Sequence, residues 1–490
     1  MEVYSSSVED QLIDGLSFKL SPGASYITER KSVTFFPSGS NVYTTTSGTK
    51  VLRILINGDD WLDATNTLRI FFDVRNTGTG PLRVLAGPYS FFRRMRVLCG
   101  NQLVEDIDYY NRVHYTFDIL RAQHVRENED VEGFEDRFDS QYYQPAFQNN
   151  ATTYGDGQIT GNRAMSNFAT NSGYVSVNAG QSKTVSFKPL SGLLNCGKLL
   201  PIRYAPITIE LELVANATDP IISANDTSLQ INVSAAGNDS YGKSGAGIGV
   251  VNPGTVNTSQ SWQIENPQVK VDVVTLDNAL NNEYASLLLS GKALPINYSS
   301  YVTQMQSITG QTPSVNITRA LSRLKSVFAT FDQTYVDAKA VEHDSHIRVW
   351  KKSWNDLFHP MSYSTFVYDQ EYEMETQLQI GSSCFPVYPM RTLQEHFYQL
   401  KKCMGTETSN FHSLDISPYE YRTHKFVCAF DTEKALGASF TGLNIKQGSL
   451  MTLKMKSSTA SASKMPDTVY LVLHFDSVMQ ISDSGVQIFE

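Results

Sequence analysis

Apolar residues recur at every second position in stretch after stretch of this chain, and that period confines it to β-structure. In LRIFFDV, Leu68, Ile70, Phe72 and Val74 fall on one face, with Arg69 and Asp73 on the other. In TIELELV, Ile209, Leu211 and Leu213 alternate with Thr208, Glu210 and Glu212. Val269, Val271 and Val273 alternate with Lys270 and Asp272, and Met451, Leu453 and Met455 with Thr452, Lys454 and Lys456. Val469, Leu471, Leu473 and Phe475 complete the set. A two-residue period places each apolar set on one side of a pleated strand. Burial on one side only is the mark of antiparallel sheets lying between a core and water. A regular strand–helix alternation is absent, which argues against a doubly wound parallel sheet.

Helices are few in this pattern. The clearest is TLQEHFYQLKKCMG, where Thr392 and Glu395 form a capping box and Leu393, Phe397, Leu400 and Met404 make an apolar stripe. Lys401 and Lys402 favour the last turn, and Gly405 can close it in a left-handed conformation. The pattern predicts further helices from about Ile107 to Gln123 and from about Asn278 to Leu289. Two polar stretches, about 139–182 and 234–261, read as long loops, and loops of that length are usually functional or tolerated insertions. A strand predicted over Trp262–Leu276 ends where a new series of strands begins, so a boundary falls near 276. The two β-rich parts show no residue-by-residue repeat.

A chain of 490 residues accommodates about two to four domains. Charged residues make up 18% and aromatics 11%, the opposite of a disordered composition. With a net charge of −9, the chain should not depend on nucleic-acid binding by itself, although it can enclose nucleic acid. Five scattered cysteines (Cys99, Cys196, Cys384, Cys403, Cys428) form no CxxC, as expected of reduced thiols in an intracellular compartment. The N-terminal residues lack a basic and then apolar leader, and no apolar run approaches a membrane span.

Candidate chemistry is sparse. Gly237–Ser244 (GNDSYGKS) matches the phosphate-binding pattern G-x-x-x-x-G-K-[ST], in which Lys243 would reach phosphates and Ser244 a Mg²⁺ ion. That chemistry needs a helix starting at Lys243, and the following GAGIGVVNPG cannot sustain one. Glu371, Glu373 and Glu375 share a strand face, which suits a wet sheet face or subunit contact better than a glycosidase pair or a calcium site. His343 and His346 are three apart, not the four of a zinc helix, and read as a polar turn. Arg93, Arg94 and Arg96, interleaved with Phe91, Phe92 and Val97, suggest a strand edge or subunit contact before a nucleic-acid patch. Asn-x-Ser/Thr triplets at Asn150, Asn216, Asn225, Asn232, Asn238, Asn257, Asn297 and Asn316 follow from a composition rich in those residues. No catalytic, cofactor or metal residues are assigned, and no cofactor is expected.

Longer segments carry a resemblance. Ile317–Asp332 (ITRALSRLKSVFATFD), Gly381–Leu400 (GSSCFPVYPMRTLQEHFYQL) and Phe426–Lys456, with its FDTEKALGASFTGLN core, resemble the double jelly-roll major capsid proteins of polinton-like viruses and virophages, in the adenovirus and large-DNA-virus lineage. Phe36–Ile56 is similar to the lead into that family's first jelly roll. The resemblance implies an all-β chain of two consecutive eight-stranded antiparallel jelly rolls with short inserted helices. It implies an N-terminal arm at 1–30, a first roll at 31–276 and a second at 277–490. The implied function is structural and not enzymatic: homotrimeric, pseudo-hexameric capsomers tiling an icosahedral capsid. The implied partners are neighbouring capsomers, a single jelly-roll penton protein, minor or cement proteins, a packaging ATPase and a maturation protease. The shell would enclose dsDNA without sequence-specific binding and assemble inside the infected host cell. A β-sandwich carbohydrate-binding protein or glycoside hydrolase is the alternative.

Overall fold

The computed structural model describes residues 26–134, 176–221, 259–332, 374–405 and 414–489, apart from some positions within those ranges. In chain order the first strands are β1 (Ile27–Phe35), β2 (Val51–Ile56), β3 (Arg69–Asn76), β4 (Phe92–Cys99) and β5 (Gln102–Ile107). Helix α1 (Tyr110–Asp118) precedes β6 (Ser182–Phe187), β7 (Ile207–Leu213) and β8 (Trp262–Leu276). Helix α2 (Asn278–Leu289) then leads to β9 (Leu294–Ser307), β10 (Ser314–Ile317), β11 (Leu324–Asp332), β12 (Met374–Ile380) and β13 (Ser383–Met390). Helix α3 (Leu393–Cys403), β14 (Cys428–Asp431), β15 (Met451–Ser457), β16 (Thr468–Ser482) and β17 (Gly485–Phe489) follow.

The predicted alternation is the physical basis of these strands. On β3, Ile70, Phe72 and Val74 are buried, while Arg69, Phe71 and Asp73 between them are partly exposed. All pairings are antiparallel. The first barrel contains the paths β1–β8–β3–β6 and β2–β7–β4–β5. The second contains β9–β16–β11–β14 and β10–β15–β12–β13. Adding eight to each label of the first barrel reproduces the second, and α1 and α3 occupy equivalent places after β5 and β13. The repeat that residue identities hide is therefore present in these eight-strand paths, to which the first part adds short strands such as Trp61–Asp63 and the second adds β17, because a sandwich core asks only for apolar alternation and not for particular residues. β1 begins at Ile27 and pairs with β8.

Two segments of the sequence resemblance have a structural reason. Leu324 and Leu443 exchange backbone hydrogen bonds of 2.9 and 2.8 Å, and Thr432 donates from its backbone and hydroxyl to the carbonyls of Lys325 and Leu324. A Cβ on Gly442 would lie 2.5 Å from the Arg323 carbonyl carbon. The FDTE and TGLN residues thus clamp the start of β11, and glycine at 442 is what lets the two backbones meet.

The helices differ from expectation in an informative way. α2 spans the predicted residues and is no loose tether: Trp61 Nε1–H donates to Asn281 Oδ1 at 3.2 Å, and the Tyr284 ring lies 4.9 Å from Trp61. α3 has the predicted capping box, with Glu395 N–H donating to Thr392 Oγ1 at 3.2 Å and Thr392 N–H to the Glu395 carboxylate at 3.1 Å. α1 covers only Tyr110–Asp118 of the expected 107–123, because Ile107 closes β5 and Tyr109 adopts a left-handed φ of 49° between them. Among the described residues, no helix is long and apolar enough to cross a membrane.

Candidate functional site

Buried polar chemistry concentrates where the two barrels meet. Glu105 on β5 is only 2% exposed, and its carboxylate accepts from both sides of the seam. From the second barrel, Ser300 Oγ–H on β9 donates at 2.7 Å. From the first, Gly192 N–H donates at 2.9 Å, Leu193 N–H at 3.4 Å, and Ser191 Oγ–H also donates. Ser191 Oγ in turn accepts from Leu194 N–H at 3.1 Å, which commits its own proton to Glu105. Among the described residues no cation joins this group, and loss of water dominates: burial pushes the Glu105 carboxyl above the usual carboxylate range despite its donors.

The rest of the seam combines direct contacts with a cavity of about 720 Å³ lined by Phe117, Ser191 and Gly192 of the first barrel and Tyr298, Ser299 and Tyr301 of the second. Tyr298 Oη–H donates to Val104 O at 3.2 Å, and Thr303 Oγ1–H to Asp108 O at 2.6 Å. Phe117 of α1 packs on Tyr301 and Phe328, with ring centres 5.0 and 5.1 Å away. The Arg112 guanidinium sits 3.6 Å above the Tyr470 ring. A Cβ on Gly192 would fall 1.6 Å from Ser299 O, so the 191–195 turn can approach β9 only with glycine there. One continuous hydrophobic core runs through both barrels. Sequence reasoning missed Glu105: the only signal was an acid inside the period-two run QLVEDI.

A second buried network lies behind α3. His396 is fully buried; its Nδ1 lies 2.7 Å from Thr392 O, which can only accept, so Nδ1 carries the proton. Nε2 then accepts from Thr376 Oγ1–H at 2.8 Å, and Thr376 Oγ1 accepts the Cys428 thiol proton at 3.4 Å. Burial holds His396 down to about 4. A hydroxyl paired with an imidazole is the geometry of an activated nucleophile, but Thr376 is 1% exposed and His396 0%, so no substrate can reach them. The network anchors the helix. His474, stacked on Tyr301 at 4.9 Å, is likewise held at about 4 by burial.

The sequence candidates resolve unevenly. Gly237–Ser244, His343, His346, Glu371 and Glu373 lie outside the described residues, as do the triplets at Asn150, Asn225, Asn232, Asn238 and Asn257. Glu375 pairs with Arg391 at 3.2 Å. The basic run on β4 is matched by carboxylates: Arg93 with Asp108 at 3.6 Å, Arg94 with Asp106 at 2.5 Å, Arg96 with Glu210 at 3.2 Å. Glu210, expected on a wet face, is 6% exposed because Arg53 and Arg96 both reach it. These arginines knit β2, β4, β5 and β7 together and present no free cationic patch. Asn216, Asn297 and Asn316 are exposed. All five cysteines are free, and burial pushes the Cys99 and Cys428 thiols up to about 12, which makes them unreactive.

Comparison with solved structures gives whole-length matches. The structure of PBCV-1 VP54 fitted into a reconstruction of the virophage Sputnik matches with a TM-score of 0.53 at 12% identity, covering 96% of this chain and 99% of that one. This is the double jelly-roll fold of viral major capsid proteins. The Sputnik virophage structure matches at 0.53 and 10% identity, covering 97% and 91% of the two chains. The Faustovirus major capsid protein matches at 0.51 and 9% identity, covering 96% and 93%. No protein-family model and no curated protein sequence matches the chain. Within the double jelly roll, the Glu105 seam is the element that turns two barrels into one block.

Proposed function

We propose that this chain is a structural major capsid protein. Three copies form a ring of six barrels, a pseudo-hexagonal capsomer that tiles the icosahedral shell of a dsDNA virus. The observation that carries this reading is the one strand path traced twice in a single chain and joined by a seam centred on the buried Glu105. A ring of six similar units needs similar barrels set at a fixed angle, and the covalent link spares half of the contacts their association entropy. The fold shared with the Faustovirus and Sputnik structures supports it. The division into an arm (1–30), a first roll (31–276) and a second roll (277–490) belongs to the same reading.

The role is mechanical: no bond is made or broken. Penton and minor capsid proteins are the further partners in this proposal, and assembly takes place inside the infected cell. Light scattering on the purified chain, followed by negative-stain microscopy, tests it. Trimers and then cages at rising concentration are expected; a chain that stays monomeric at high concentration would overturn the reading.

A further inference from the structure

Three ionisable side chains meet at the start of β11, apart from the Glu105 group. Lys325 Nζ lies 3.5 Å from Glu433 Oε1 and 3.7 Å from Asp476 Oδ1. Most of this group is out of water: the Lys325, Glu433 and Asp476 side chains are 23%, 16% and 4% exposed. Backbone bonds fix their places. Thr432 N–H donates to Lys325 O at 2.9 Å, and Asp476 N–H to Arg323 O at 3.0 Å. Leu324 pairs with Phe475 and Ser326 with His474, so Lys325 is the extra residue of a β-bulge against β16. A bulge re-aims a side chain that the regular pleat would send elsewhere, and here it brings the amine to Asp476.

The Asp476 carboxyl is held unevenly. Oδ1 accepts from Ser299 Oγ–H at 2.5 Å. Oδ2 is buried and meets no hydrogen-bond donor among the described residues. At 3.5 and 3.7 Å the Lys325 amine is too far from either acid for a strong hydrogen bond. A simple ion pair therefore leaves the desolvation of Oδ2 uncompensated. We propose that Lys325 and Asp476 join as an isopeptide, an amide between Nζ and Cγ, with Glu433 carrying the protons. Condensation expels one carboxyl oxygen as water, and Oδ2 is the one that nothing holds. The bond does not depend on the capsid reading: that role turns over no substrate, and this amide is made once, inside the chain itself.

Atoms and charges balance. The pair starts as an ammonium and a carboxylate. Glu433 takes one proton from Nζ, which frees the amine's lone pair to attack Asp476 Cγ. The Nζ–Cγ bond forms, and the Ser299 hydroxyl meets the charge that develops on Oδ1. Glu433 passes its proton to Oδ2, and a second proton from Nζ follows by the same carboxylate. The Cγ–Oδ2 bond breaks and water leaves. The amide nitrogen keeps one proton, and Glu433 ends ionised, as it began. No oxidant, reductant or co-reactant enters. In bulk water the equilibrium opposes such a condensation; here the reacting groups are held together and largely shielded from water. The product ties β11 to β16, the two middle strands of the β9–β16–β11–β14 path.

Mass spectrometry of the purified full-length chain, denatured after folding, tests the bond. The wild-type mass is expected to be one water below that of its sequence. Trypsin should then release a branched peptide joining Leu324–Lys339 to Met465–Glu490, uncut after Lys325. Lys325→Met and Glu433→Gln chains should each carry the full mass of their own sequence. Where a variant fails to fold, the wild-type mass and its branched peptide decide alone. A wild-type chain at its full sequence mass overturns the proposal. So does a lost water without the branched peptide, which is the result if Asp476 cyclises onto the Ser477 backbone nitrogen instead. A lost water that persists in Lys325→Met overturns the pairing, and one that persists in Glu433→Gln overturns the proton carrier. None of these results touches the capsid reading, which light scattering judges separately.

Discussion

α1 and α3 occupy the same place in the two barrels, yet they are specified in opposite ways. α1 has no side-chain cap, starts from a left-handed Tyr109, and lies against the other barrel through Phe117 and Arg112. α3 has a reciprocal capping box, lysines in its last turn and a buried histidine pinning it to its own barrel, with Tyr398 facing water. The helix that a neighbour seats needs few local signals. The helix that stands free carries its instructions in its own sequence. The same contrast separates two of the buried ionisable groups: Glu105 is raised and joins barrels, His396 is lowered and joins a helix to a sheet.

The largest perturbation should ignore the contrast. Phe331→Asp and Phe72→Asp each place an unpaired charge in a barrel core, and each should cost about 5 kcal/mol or more, leaving no soluble folded chain. Soluble, cooperative melting of either variant would contradict the core assignment. Gly192→Ala attacks the seam alone. Its Cβ meets the Ser299 carbonyl, and a loss of about 3 kcal/mol with two separate melting transitions is expected in calorimetry.

Glu105→Gln keeps the shape of the seam but turns an amide nitrogen toward donors, at a cost of about 2 kcal/mol in urea unfolding. It should also remove a pH dependence. A carboxyl raised on folding binds its proton more readily in the folded chain, so its contribution is complete below the ordinary carboxylate value and is lost as pH rises through the folded one. His396 works the other way. Lowered from 6.5 to about 4, it binds its proton more readily in the unfolded chain, so its contribution is complete above 6.5 and declines as pH falls toward 4. Between pH 7 and 5 that amounts to about 2 kcal/mol, and His396→Asn should remove about half of the pH dependence of melting over that interval, His474 supplying the other half. Thr392→Ala is the smallest change, about 1 kcal/mol through the lost cap, and hydrogen exchange should show it confined to the first turn of α3.

Legibility followed the same division. Strands with one wet face were visible at once, since period two needs only burial on one side, as Ile70, Phe72 and Val74 show. The α3 cap was visible because its signals sit within a few residues of one another. Glu105 and Glu210 were not, because their donors, Ser300 and Arg53, arrive from far along the chain. Gly192 gave no sign either: its requirement comes from a carbonyl that reaches it only in the assembled chain. The duplication stayed hidden for a related reason. Connectivity repeats while side chains diverge.

The pairing of Ile27 with Leu276 has a consequence for synthesis. The central strand of the first barrel is its last to be made, so nothing that leaves the ribosome before residue 276 can close that barrel, and β16 imposes the same wait on the second. A prematurely terminated chain therefore lacks the strand on which the rest of its sheet pairs.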